Sequence, residues 1–137
     1  MRVLLSLLVA CYDVKTVVNV PTDGAVSFMS LYSAYSIVKL AVFRLAEWLG
    51  HEHGDHGALT HAAHSGLVRT DMAASLMPKL DLDDMLALPA YKLPWLMRER
   101  REWLAGRDVY CHWDLDALIA RRQEIVDGNK FKVGLVA

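Results

Sequence analysis

The chain has 137 residues with 15 basic and 16 acidic side chains, a formal net charge of −1, and so lacks the basic excess with which proteins hold nucleic acid or anionic membranes. At 54% hydrophobic and 23% charged it lies on the apolar side of globular usage, and residues 1–137 suit one domain with its own core. Cys11 and Cys111 stand far apart outside any Cys-x-x-Cys pattern, which speaks against a disulfide framework and for a reducing, cytoplasmic setting.

The chain opens on an apolar run from Met1 to Cys11. Leu8-Val9-Ala10-Cys11 resembles a bacterial lipoprotein lipobox, with Arg2 as a minimal positive region. The run is at the short limit for a signal segment, and a buried strand or short helix is the preferred reading. Val14-Lys15-Thr16-Val17-Val18-Asn19-Val20 is rich in β-branched residues and predicts a strand. Pro21-Thr22-Asp23-Gly24 is a turn, with Thr22 or Asp23 as helix cap.

A helix is expected from about Ala25 to Leu49. Phe28, Leu31, Tyr35, Val38, Val42, Leu45 and Leu49 alternate at three- and four-residue spacing and fall on one face. Met29, Tyr32, Ile37, Leu40 and Trp48 widen that face until it demands burial in the core or against a partner. Four serines and Lys39 make Ala25–Phe43 a poor membrane span. Gly50 is read as the stop.

Beyond the histidine-rich stretch that follows, helices are expected around Leu59–Val68 and from Thr70 or Asp71 to Met77, the latter ended by Pro78. Asp81 is read as capping a short helix with Leu82, Met85 and Leu86. Another runs from Pro94 to Ala105, closed by Gly106. Val109–Trp113 reads as an extended link, and Asp114 caps a last helix, Leu115 to Val126. Phe131–Val136 looks like a strand able to pair with the N-terminal one. The expected fold is mainly α: a single compact helical domain of about five helices, with a small β element from the N- and C-terminal segments.

Five of six histidines lie between His51 and His64. His51, His53, Asp55 and His56 are ligand types close enough to meet on one ion if a tight turn gathers them. The run His51-Glu52-His53-Gly54-Asp55-His56 resembles the H-x-H-x-D-H motif of the metallo-β-lactamase superfamily. That resemblance implies an αββα sandwich, with His51 and His53 on one metal ion, Asp55 and His56 on a second, and a metal-bound water as nucleophile. It covers about nine residues, and the motif here follows a helix where that family has a strand.

Arg98, Arg100, Arg101, Arg107, Arg121 and Arg122, with Trp95, Trp103 and Trp113 nearby, imitate a single-strand binding surface. Interleaved Glu99, Glu102, Asp108, Asp114 and Asp116 nearly cancel the charge, so a salt-bridged surface is expected. Cys111 beside His112 lacks a nucleophile's setting, and no phosphate-cradling glycine loop is present. Asp84–Leu88 through Leu93, Trp95, Leu96, Arg98 and Arg100 is loosely similar to helices of small phage tail-assembly proteins.

The expected function is therefore a non-catalytic protein–protein interaction: an inhibitor, assembly chaperone or small subunit of a larger complex, of phage or mobile-element type, in the cytoplasm of a bacterial host if viral. Its contact residues would be Phe28, Leu31, Tyr35, Trp48, Trp95 and Trp103. Partners are another protein or a second copy, with neither nucleic acid nor membrane expected. No cofactor is expected except zinc or another divalent ion at the histidine cluster. The alternatives are a metal-dependent hydrolase using His51, His53, Asp55 and His56, or a membrane-associated helical protein.

Overall fold

Three short parallel strands, not a helical bundle, organise the chain. The computed structural model describes residues 2–76 and 81–135. After helix α1 (Arg2–Ala10), strand β1 (Thr16–Asn19) forms where its β-branched residues predict it. It pairs with β2 (Leu59–His64), Thr16 opposite Leu59 and Asn19 opposite Ala62. β3 (Asp108–Tyr110) joins the other side of β2, giving the order β1-β2-β3.

Parallel neighbours cannot be joined by a hairpin, so each connection is a helical crossover. Helix α2 (Ser33–His53) links β1 to β2. Helices α3 (Asp71–Leu76) and α4 (Ala87–Arg98) and a 3-10 turn (Glu102–Leu104) link β2 to β3. Helices α5 (Leu115–Ala120) and α6 (Arg122–Asp127) follow.

All six residues of β2 are buried, as in a central parallel strand covered on both faces. On one face the Thr60 hydroxyl donates to the Ala46 carbonyl of α2, and Ala62 packs with Phe43 and Ala46. On the other, Ala63 joins Leu96, Leu104, Val109, Leu118 and Ile125, and His61 Nδ1 lies 3.0 Å from the Leu104 carbonyl. Burying Leu96, Leu104 and Ile125 supplies ~1.5–3 kcal/mol each.

The mainly α expectation is thus corrected to an α/β fold with a parallel sheet. The error lies chiefly in β2, where Leu59–Val68 reads as helix because alanine and histidine replace the usual β-branched residues. Small side chains are what a central strand needs when a helix packs closely on it. A Cβ on Gly50 would stand 3.1 Å from the Thr60 hydroxyl, so that glycine serves the α2–β2 approach and does not stop the helix. α2 instead runs on to His53, with Gly54 as its C-cap.

The start of α2 also differs from expectation. Ser27 donates to the Asp23 carbonyl and carboxylate, side-chain bonds that compete with helix, and Leu31 sits at φ 73°. Phe28 and Leu31 therefore precede α2, almost wholly exposed. The buried residues of α2 are Phe43, Ala46 and Leu49.

Leu82–Leu86 is not helical; α4 begins at Ala87 and runs through Pro94. Asp114 caps as expected, accepting from the Ala117 N–H at 2.8 Å, but the final helix breaks at Arg121 into α5 and α6. The strand expected from Phe131 onward does not form over residues 131–135. There the Phe131 carbonyl accepts from the Asp108 N–H at 2.9 Å, a single bond to β3 that no ladder extends. Thr70 caps α3 through its hydroxyl, bonded to the Ala73 N–H at 3.1 Å. Met77, Pro78 and Val136 lie outside the described residues. Among the described residues, no helix is long and apolar enough to cross a membrane.

Candidate active site at the carboxyl ends of the strands

In an open parallel sheet the carboxyl ends of the strands share one edge, where ligands of such folds bind. At that edge a cavity of about 430 Å³ lies between the segment after β1, the loop after β2 and the first half of α2. Val20–Gly24 forms one wall and Ser65–Val68 another. Tyr32, Tyr35 and Lys39 project from α2 and its N-terminal boundary, and Met72 and Ala73 of α3 with Leu82 complete the lining.

Tyr35 and Lys39 are four residues apart, on one side of the helix. The Lys39 ammonium donates to the Val20 carbonyl at 3.0 Å and lies 5.8 Å from the centroid of the Tyr35 ring. A phenol able to give or take a proton thus has a fixed cation beside it. Across the cavity stands Thr22, at the cap position of the 3-10 turn Asp23–Ala25, where its side chain makes no capping bond. A hydroxyl, a phenol and an ammonium therefore share one cavity, whose lining also includes Asp23, Ser27, Tyr32, Ser65 and Thr70.

The loop after β2 depends on Gly66, at φ 90°; a Cβ there would lie 2.7 Å from Asp84 Oδ2. That oxygen accepts from the Leu67 N–H at 2.6 Å and holds the loop against the cavity. Behind the cavity, the Tyr110 hydroxyl donates to Asp23 at 2.7 Å, and the Asp23 N–H donates to His64 Nδ1 at 3.3 Å. Burial, then the bond to Asp23, pushes the Tyr110 phenol far above its ordinary range, so it stays a donor. Burial also raises the Cys111 thiol to about 11, which makes it unreactive.

The histidine cluster lies elsewhere. His51 and His53 end α2, and Asp55 and His56 occupy the 3-10 turn Gly54–His56. Among the described residues, no three His, Cys, Asp or Glu side chains gather to hold a metal ion. The helix separates residues that a strand-to-loop motif would aim together, and three of the four are exposed.

Of the expected contact residues, Phe28 and Leu31 are exposed, Trp48 is half-exposed with an edge contact to His51, and Tyr35 is in the cavity. Trp95 and Trp103 pack on the core, with the Arg101 guanidinium 3.7 Å from the Trp95 ring centroid. The sequence alone does not single out Lys39 and Thr22, which the structure places in the cavity. The signal that could find them is a tyrosine and a lysine at i, i+4 just beyond a strand and turn.

The α/β architecture with its parallel sheet is shared with several solved structures. The acetoin dehydrogenase of Enterobacter cloacae superposes with a TM-score of 0.65 at 20% identity, over 80% of this chain and 46% of that one. The NADPH-bound carbonyl reductase from chicken fatty liver superposes at 0.56 and 19% identity, over 70% of this chain and 40% of that one. At these identities the likeness establishes the fold.

More particularly, the sequence is 40% identical over 124 residues to the short chain dehydrogenase mpl6 of Monascus purpureus, covering 89% of this chain and 42% of the relative. It is 36% identical over 121 residues to the short chain dehydrogenase andI of Emericella variicolor, covering 87% and 42%. The chain thus spans well under half the length of these curated relatives. No family model matches it.

These similarities overturn the expectation of a non-catalytic, phage-like assembly protein, since the relatives are dehydrogenases. They also overturn the expectation of no cofactor beyond a metal ion, because structural neighbours include enzymes solved with NADPH or NADP+.

Proposed function

We propose that this chain supplies the acid–base and substrate-facing portion of a nicotinamide-dependent oxidoreductase that interconverts a carbonyl compound and its alcohol. The single observation carrying this reading is the Tyr35–Lys39 pair facing Thr22 in the cavity at the strand ends. The chain's similarity to short chain dehydrogenases supports this reading.

The donor set fits the reacting end of such a cofactor. The sequence carries no Gly-x-Gly-x-x-Gly cradle for its phosphates, so Tyr35, Lys39, Thr22 and the Gly66–Thr70 loop would face the nicotinamide end. When bound, the cofactor supplies or accepts the hydride. Thr22 donates a hydrogen bond that orients the carbonyl oxygen. Tyr35 delivers the proton that completes the alcohol and recovers it in the reverse direction. Lys39, anchored on the Val20 carbonyl, stabilises the negative charge left on the Tyr35 oxygen. Val20, Pro21, Leu67, Val68 and Leu82 keep water from the exchange. We place the protein in the cytoplasm, in keeping with its two free cysteines.

The test follows reduced-nicotinamide consumption with a panel of aromatic and aliphatic ketones and aldehydes. Turnover is expected, falling ~10²–10⁴-fold in Tyr35→Phe and by a similar order in Lys39→Met. Full activity in Tyr35→Phe would remove the assigned proton donor. Failure to bind NADH or NADPH and to turn over any carbonyl would remove the reading itself.

A further inference from the structure

The residues fixing the Thr22 turn come from the other two strands and do not line the cavity. Tyr110 ends β3 and grips the Asp23 carboxylate; His64 ends β2 and accepts the Asp23 N–H. The His64 and Tyr110 rings meet edge to face, with centroids 5.0 Å apart, and Trp113 stacks on Tyr110 at 4.8 Å. Two bonds from two strands thus converge on the residue next to Thr22.

The bond to His64 dictates its protonation. Nδ1 must present a lone pair to the Asp23 N–H, so the ring proton sits on Nε2 and the imidazole is neutral. A second proton would place an N–H against an N–H and abolish the bond. Asp23 faces the ring from the turn, Tyr110 from β3, His112 from the turn beyond it, and Asp84 from the segment before α4, while Asp108 of β3 bonds to the His64 backbone. Burial, the largest influence, favours the neutral ring, and His112 reinforces it; Asp23 and Asp84 oppose.

We propose that Tyr110 and neutral His64 are positioning residues that clamp the Asp23 turn and thereby aim Thr22 into the cavity, and that protonation of His64 opens the clamp. The consequence for catalysis rests on the oxidoreductase reading above; the clamp itself does not.

The test is an acid titration of isotopically labelled protein, following the Asp23 amide and the His64 ring by NMR, alongside kcat and KM against pH. The Asp23 amide should move with the His64 transition, and kcat should fall along it. His64→Asn offers a non-titrating acceptor near the Nδ1 position, so its amide should stay fixed and its acid limb vanish. Tyr110→Phe should lower kcat ~10–100-fold through misplacement of the turn. Asp108→Asn controls for the neighbouring carboxyl and should keep the His64 transition.

An Asp23 amide indifferent to His64 protonation in the unaltered protein would overturn the clamp, even if His64→Asn did not fold. An unchanged acid limb in folded His64→Asn would do the same. Normal amide behaviour in a protein that reduces no carbonyl would keep the clamp and discard the reaction.

Discussion

Thr22 looks like an ordinary cap in the sequence, since a threonine after a strand and before a helix commonly holds free N–H groups. In the structure its side chain makes no capping bond and faces the cavity with Tyr35 and Lys39. If the hydroxyl orients a carbonyl oxygen, Thr22→Ser should retain turnover within a few-fold, whereas the near-isosteric Thr22→Val should lose ~10–10³-fold in kcat/KM. Equal activity of the serine and valine variants would relegate Thr22 to packing. Tyr35 is legible as important for the wrong reason, as one member of an apolar seam. Lys39 stands out in the sequence only as a charge unwelcome in a membrane. Neither residue's place in the cavity is apparent until the bond from the ammonium to the Val20 carbonyl joins α2 to the end of β1.

At the scale of elements, β1, the turn after it, α3 and the Asp114 cap are readable because their signals are local: β-branched residues, turn formers and capping side chains. β2 is not, because its identity comes from its position between two strands, where alanines admit α2 on one face and the α4–α6 core on the other. The loop after β2 is similarly set by a distant residue. Gly66 combines a left-handed backbone with an approach to Asp84 that leaves no space for a Cβ. Gly66→Ala should therefore cost ~1–3 kcal/mol of stability and weaken any ligand contacting Leu67 or Val68. Urea melts together with nicotinamide binding would measure both. A variant as stable and as tight-binding as the parent would show that the loop relaxes freely.

For the whole molecule, the parallel sheet brings Asp108 of β3 beneath the strand-end edge, in a place its sequence neighbours do not foretell. It is buried, and its Oδ1 has no hydrogen-bonding partner among the described residues. Burial, then the nearby Asp23 charge, raises its carboxyl to about 6, while backbone bonds from His64 and Val109 pull it back only in part. The unfolded chain releases this proton at about 4, so the folded state binds it more tightly. Folding is therefore helped relative to higher pH while both states are protonated, and that advantage drains away as pH rises from about 4 to about 6. The full span corresponds to a ceiling of ~3 kcal/mol, reduced by any local relaxation. Asp108→Asn keeps one acceptor oxygen and removes the titration. Its stability relative to the parent should rise across that interval and level off above it, measured as the difference in unfolding free energy from about pH 4 to about pH 8. A difference that stays flat, or falls with pH, would mean that the carboxylate gains enough from its backbone donors to offset burial, and that the edge beneath the Asp23 turn tolerates charge.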